Sequence, residues 1–264
     1  MDEMDQFDHD FIPNGLQHQH ITCFLVEKGN VAELSLVLDS YSNNVFIIVE
    51  SRAVLTYIRH AISSCRHSDN LKLKEGAMAR VRFTQNENSN VFFNQSAFLE
   101  NKAILNSGAY WCSGGIGLNT TNLIGNYSST EHVDVCYLRE SYKLKLDTII
   151  THAAATRCNV LMKGVVRDNA KAYFNGNIKI GKQSGRVTAH MEQAMLLLNK
   201  GAYAEAKPFL EIENNDVQCS HSAYVKEIDK EQVFYLMSRG LSEKEAKQRI
   251  LEGFLESGME KMRS

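Results

Sequence analysis

Proline is almost missing from this chain. There are two in 264 residues, Pro13 and Pro208, and none between them. There is one tryptophan, and no two cysteines stand closer together than Cys136 and Cys158. None of the six cysteines forms a CxxC pair, and thiols scattered through a chain of this size read as reduced and cytoplasmic, not as a disulfide framework. No apolar run approaches the ~20 residues of a membrane span. The first ten residues, MDEMDQFDHD, carry neither a basic n-region nor an apolar h-region, so a signal peptide is not expected. The formal net charge is −2, which leaves no global positive field for nucleic acid or an anionic membrane. Ser-His-Asp, HExxH and paired-carboxylate signatures are missing too.

The chain does hold a long series of short apolar–polar alternations. After an acidic arm over residues 1–20, segments such as ITCFLVEKGN, AELSLVLDSYSNN and VFIIVE read as strands bounded by turn residues. ESRAVLTYIRHAISSC places Val54, Ile58, Ala61 and Ile62 at helical spacing and is read as a helix. From Leu71 to about Ser222 one texture repeats: strands of four to seven residues separated by Asn, Gly, Ser and Asp. No long amphipathic helix interrupts it, so βαβ units are not expected. A sandwich, an antiparallel barrel and a stacked solenoid all remain compatible, because no strict repeat period emerges.

The last part is helical. Asp229 with Gln232, and Ser242 with Glu245, have the form of capping boxes, and Gly240 stands where a C′ glycine belongs. Ala246, Ile250, Leu251, Phe254, Leu255 and Met259 fall on one broad apolar face. The expected division is therefore an arm over 1–20, a β core over 21–222 and a helical segment over 223–264.

Several residues are candidates for chemistry. Cys219 and His221 stand at i and i+2 on an extended run, so one face presents both thiol and imidazole, good ligands for iron or zinc. By itself the pair is a weak signal, and a buried strand cysteine beside a surface histidine is its commoner explanation. His132, Asp134 and Cys136 share a strand face, either as a metal site or as a rung of stacked polar residues. Gly114, Gly115 and Gly117 read as a turn or corner. Gly176–Gln183 nearly spells a P-loop, but Gln183 replaces the Ser or Thr that holds magnesium and the segment reads as a strand, which excludes nucleotide binding there.

Three stretches carry a family resemblance: KGVVRDNAKAYFNGNIKI, LEIENNDVQCSH and IDKEQVFYLMSRGLSEKEA. They resemble the SufB/SufD scaffold proteins of iron–sulfur cluster assembly, the SufD branch most closely. The resemblance is good over about the last hundred residues and fades toward the N-terminus. It implies a mainly β fold, a right-handed parallel β-helix with a C-terminal helical segment. It further implies a scaffold without catalysis of its own, a SufC-like ABC ATPase docked on the C-terminal helices, and a nascent iron–sulfur cluster at a dimer interface. VQCSHSA matches the segment whose Cys and His face that interface. The chain departs from SufB-type proteins in two places: the position of their cluster-accepting cysteine falls near Gln193, and their Glu-His-Glu segment becomes Ser220, His221 and Ser222. The expected ligands are Cys219 and His221, with Glu205 as a third and with Glu192 and Glu211 as further nearby carboxylates. The chain also resembles minimal archaeal SufB-like proteins that serve both roles as a homodimer, implying a 2:2 complex with two Cys and two His at the two-fold axis. A zinc-dependent enzyme using Cys219 and His221, and a carbohydrate-active β-helix protein, are the competing readings.

Overall fold

The computed structural model describes residues 19–39 and 42–263. Most of the expected acidic arm lies outside the described residues.

Sixteen strands alternate between two parallel eight-stranded sheets. The odd-numbered sheet holds β1 (Gln19–Val26), β3 (Ser42–Val49), β5 (Cys65–Leu73), β7 (Val91–Leu99), β9 (Gly115–Leu123), β11 (Lys143–His152), β13 (Lys171–Ile180) and β15 (Tyr203–Ile212). The even-numbered sheet holds β2 (Val31–Leu38), β4 (Val54–Ala61), β6 (Met78–Gln85), β8 (Ile104–Trp111), β10 (Ser129–Leu138), β12 (Arg157–Val166), β14 (Val187–Leu197) and β16 (Val217–Glu227). Each odd strand and the even strand after it make one coil. Equivalent strands of successive coils pair in parallel throughout, so the described residues form a β-solenoid. The expected β-helix is therefore the fold.

Alternation places one residue in two in the lumen. In β5 and β7 the inward residues Cys65, His67, Asp69, Leu71 and Val91, Phe93, Gln95, Ala97 are buried, while the residues between them reach solvent. In-phase register stacks these residues in rows, such as Cys158–Ala189–Cys219. The corners explain the Asn- and Gly-rich punctuation. Arg52, Lys102, Tyr127 and Arg186 adopt φ near +60°, as do Gly29 and Gly76 at equivalent corners. There each turn N–H donates to a turn carbonyl one coil on: Arg52 to Glu75 (3.1 Å), Gly76 to Asn101 (2.9 Å), Lys102 to Asn126 (2.9 Å), Tyr127 to Ala155 (2.7 Å). The turns therefore satisfy their own backbone groups coil by coil.

The lumen is not uniformly apolar. Arg59, His67, Asp69 and Gln95 are all buried in it. Arg59 pairs with Asp69, which also accepts from the Tyr57 hydroxyl (3.0 Å) and contacts His67 Nε2 (2.7 Å). Desolvation works against the Asp69 carboxylate, yet Arg59, His67 and Tyr57 together hold its pKa below the ordinary value. Above this group an aromatic stack fills the lumen: Phe83 lies 4.6 Å from Phe93 and 4.8 Å from Trp111, centroid to centroid.

Two local expectations are corrected. The segment read as a helix around residues 51–65 is a turn, strand β4 and the start of β5. Leu55, Tyr57, Arg59 and Ala61 point inward and Ile58 outward, so a lumenal arginine and an exposed isoleucine disguise a period of two. Of the three glycines read as a corner, only Gly114 precedes the strand; Gly115 and Gly117 lie within β9. A Cβ on Gly115 would stand 2.6 Å from the Val91 carbonyl, so the close approach of backbone requires glycine.

Strand β16 continues past residue 222, and the helices α1 (Lys230–Ser238) and α2 (Glu243–Arg263) follow. Ser242 and Glu245 form the expected capping box: Glu245 Oε2 accepts from Ser242 N (2.8 Å), and Ser242 Oγ accepts from Glu245 N (3.3 Å). The Asp229 carboxylate caps α1 through Glu231 N (2.8 Å). Helix α2 lies on the outer face of the even sheet. Met262 packs with Val133, Val135 and Leu161, and Leu251 packs with Val165 and Leu196. Gly258 permits that approach: a Cβ there would stand 2.9 Å from Val135 Cγ2.

Candidate functional site

The solenoid ends on two edge strands, since β15 and β16 are the terminal strands of their sheets and each is paired on one side only. Their backbone edges and inward side chains are left without a further coil. On β16 the register sets Cys219 on Ala189, His221 on Met191 and Ala223 on Gln193. Ala189, Met191 and Gln193 are lumenal and buried, so Cys219 and His221 occupy the lumenal row of the last coil. Cys219 is partly buried against the core and His221 is exposed. A thiol and an imidazole are thus presented side by side at the open end of a tube. Partial burial pushes the Cys219 thiol above its ordinary pKa, a hydrogen bond with the Ala189 backbone acting in the opposite sense.

The expected third ligand sits elsewhere. Glu205 pairs with Tyr173 in register on the outer face of β15, on the opposite sheet. Its carboxylate meets Lys207 Nζ at 2.8 Å and the Tyr203 hydroxyl at 3.4 Å. Glu192 lies in the outer row of β14, next in register to Ser222. Glu211 accepts from Asn177 (2.5 Å) and pairs with Lys179 (3.4 Å), on the outer face of β15. Within one chain, then, Cys219 and His221 come together and the carboxylates do not join them. Among the described residues no three His, Cys, Asp or Glu side chains form a group able to hold a metal ion. The zinc-enzyme reading therefore has no complete ligand set in a single chain.

The other sequence candidates resolve into structure. His132, Asp134 and Cys136 do share the lumenal face of β10. His132 Nε2 lies 2.8 Å from Asp134, His132 Nδ1 lies 2.7 Å from Ser107 Oγ, and the Trp111 indole N–H donates to Asp134 (3.3 Å). These partners occupy the polar atoms, so the triplet is an internal rung. His152 Nε2 lies 3.3 Å from Cys158 Sγ, and Nδ1 lies 2.6 Å from Thr156 Oγ1. Burial pushes Cys158 up to about 12 and His152 down to about 4. Both are neutral near pH 7, so they are not a thiolate–imidazolium pair. Gly176–Gln183 spans the end of β13 and the turn after it, which excludes a P-loop. Gln193 is buried and donates to Met162 Sδ (3.4 Å). Sequence reading missed the lumenal Arg59–Asp69 pair; the only signal was His67 and Asp69 at strand spacing.

The surface of α1 is the other exposed feature. The helix buries Val233 and leaves Phe234, Tyr235 and Met237 at 73%, 56% and 43% exposure. Among the described residues no helix is long and apolar enough to cross a membrane.

Comparison with known proteins gives the same family over most of the chain. Residues 33–254 match the family model described as SUF system FeS cluster assembly, SufBD core domain. The chain is 30% identical over 229 residues to the iron–sulfur cluster assembly protein SufD of Bacillus subtilis, which covers 81% of this chain and 52% of that protein. It is 43% identical over 94 residues to the SufD protein of Escherichia coli, covering 36% of this chain and 22% of that protein. A SufBD family protein of Staphylococcus saprophyticus is 26% identical over 226 residues, covering 80% of this chain and 48% of the relative. The chain spans about half or less of the length of these relatives. With a parallel β-solenoid, two C-terminal helices and a family match from Glu33 to Phe254, the chain belongs to the SufBD family of SUF-system iron–sulfur cluster assembly proteins.

Proposed function

We propose that this chain is a scaffold on which an iron–sulfur cluster is built between two β-solenoids, with Cys219 and His221 of each as ligands. The observation that carries this reading is the placement of Cys219 and His221 together in the lumenal row of the uncapped last coil. A further surface laid against that end meets two free strand edges, the apolar side chains of Phe209, Ile212, Tyr224 and Val225, and the Cys–His pair at once. Two copies related by a two-fold axis supply two thiols and two imidazoles, a donor set suited to a nascent cluster. Glu205, held by Lys207 on the outer face, stays outside this set.

The cluster is cargo. The chain's own part is to present the ligands, to shed the Cys219 proton as metal binds, and to shield the site by burying it at an interface. Free cysteines throughout fit a reducing, cytoplasmic setting. The driving enzyme is an ABC ATPase of the SufC type, docked on the exposed apolar face of α1, so that its closure strains the helices packed on the even sheet. The chain itself is a non-catalytic member of a 2:2 complex.

Anaerobic reconstitution with ferrous iron, sulfide and the purified ATPase tests this. The wild type is expected to gain a sulfide-to-iron absorption band; Cys219→Ser loses it and His221→Ala weakens it, while both still bind the ATPase. A band of equal intensity in Cys219→Ser sinks the assignment.

A further inference from the structure

The corner between the two sheets contains a gap. Register aligns Ser129, Arg157 and Thr188 on adjacent coils, so the residues two positions earlier, Tyr127, Ala155 and Arg186, stack at the turn. Tyr127 and Arg186 project long side chains; Ala155 between them is buried and ends at a methyl. The result is a surface cavity of about 400 Å³ lined by Tyr127, Ser129, Ala155, Arg157, Arg186 and Thr188.

Its chemistry is one-sided. Two arginines, Arg157 and Arg186, line it, and among the described residues neither forms a salt bridge with a carboxylate. Asp216, the acidic residue of the adjoining turn, points its carboxylate at Gly185 instead, 3.1 Å from where a Cβ would stand. The hydroxyls of Ser129 and Thr188 add donors, and Tyr127 offers an exposed ring. Two arginines lining one concavity without a carboxylate partner favour an anion, and their planar forks match the oxygens of a phosphoryl group. The volume exceeds the needs of bare phosphate and lies within the range of small-molecule sites.

We propose that this corner pocket binds a phosphorylated small molecule of about mononucleotide size, with Arg157 and Arg186 on the phosphoryl group and the Tyr127 ring against the remainder. It lies at a corner of the solenoid, away from the lumenal Cys219–His221 row, and does not depend on the scaffold reading.

Calorimetric titration of the full chain with adenosine monophosphate, adenosine and inorganic phosphate tests it. Adenosine monophosphate is expected to bind more tightly than either fragment. The double variant Arg157→Gln/Arg186→Asn is expected to lose about tenfold or more per arginine. Both residues are exposed, so its melting temperature should match wild type. Ala155→Leu, which fills the cavity and keeps both charges, is expected to abolish binding as well. Three results overturn the proposal: no binding to wild type at millimolar concentration, equal affinity in the double variant, or equal affinity for phosphate alone, which marks a simple oxyanion site.

Discussion

Gly117 lies directly against Trp111: a Cβ on Gly117 would stand 2.8 Å from Trp111 Cζ2 and 2.7 Å from Leu146 Cδ2. The indole is also held by Phe83, tilted against it at 4.8 Å, and by Phe93, which meets it edge-on at 6.3 Å. Gly117→Ala is therefore expected to destabilise the solenoid by about 1–3 kcal/mol through overpacking. Urea unfolding followed by tryptophan fluorescence reads this directly, because the chain's one tryptophan is the residue displaced. An unchanged midpoint would mean that the stack yields at little cost.

The Arg59–Asp69 pair makes a second, larger prediction. Both side chains are essentially inaccessible, so Asp69→Asn leaves a buried guanidinium without its counter-charge. The expected loss is about 3–5 kcal/mol. The native carboxylate has its pKa below the ordinary 3.8, so the stability it contributes is complete above that value and disappears as pH falls through the lower native one. Acid unfolding of wild type below pH 4 should therefore be steep, and it should be flatter in the Asn variant.

A separate pH window belongs to His152. Burial lowers its pKa from 6.5 to about 4. Between those values the unfolded chain takes up a proton that the native imidazole refuses, so stability falls as pH drops from about 6.5 to about 4. The slope for one such group is about 1.4 kcal/mol per pH unit. Chemical denaturation across that range should show it, and His152→Gln should remove it. An identical slope in the variant would assign the dependence to another group.

The fourth prediction concerns α1. Phe234 is 73% exposed and contributes little to the fold, so Phe234→Ala should shift stability by less than about 0.5 kcal/mol. If the ABC ATPase docks on this face, the same change should weaken binding by about tenfold or more, as truncation of an aromatic anchor does. Calorimetry with the purified ATPase separates the two effects; unchanged affinity would place the docking surface elsewhere.

Much of this architecture could be read from the chain. Turn residues at short intervals mark the strands, and Ser242 with Glu245 marks the start of α2 in the residues that form its cap. Cys219 and His221 share a face because strand period alone requires it. The reading failed where lumenal chemistry is unusual. In LTYIRHA an inward arginine and an outward isoleucine invert the hydrophobic pattern, and partners far along the chain make that arginine tolerable: Asp69, the Arg82 carbonyl and Gln95. The glycines at 115 and 117 likewise look like a turn, yet they are strand residues thinned to admit a neighbouring carbonyl and an indole.

The sequence by itself determined most of the strands, many of the corners and the helical end, because these depend on local period, turn chemistry and capping. The tertiary structure alone decided which rows meet across coils. Register set Cys219 and His221 on the last open coil and left Glu205 on the outer face of the opposite sheet. It also brought Arg157 and Arg186 from successive coils around Ala155. Such contacts join residues about one coil apart in the chain, and their spacing follows from the length of each turn, a quantity no local pattern encodes.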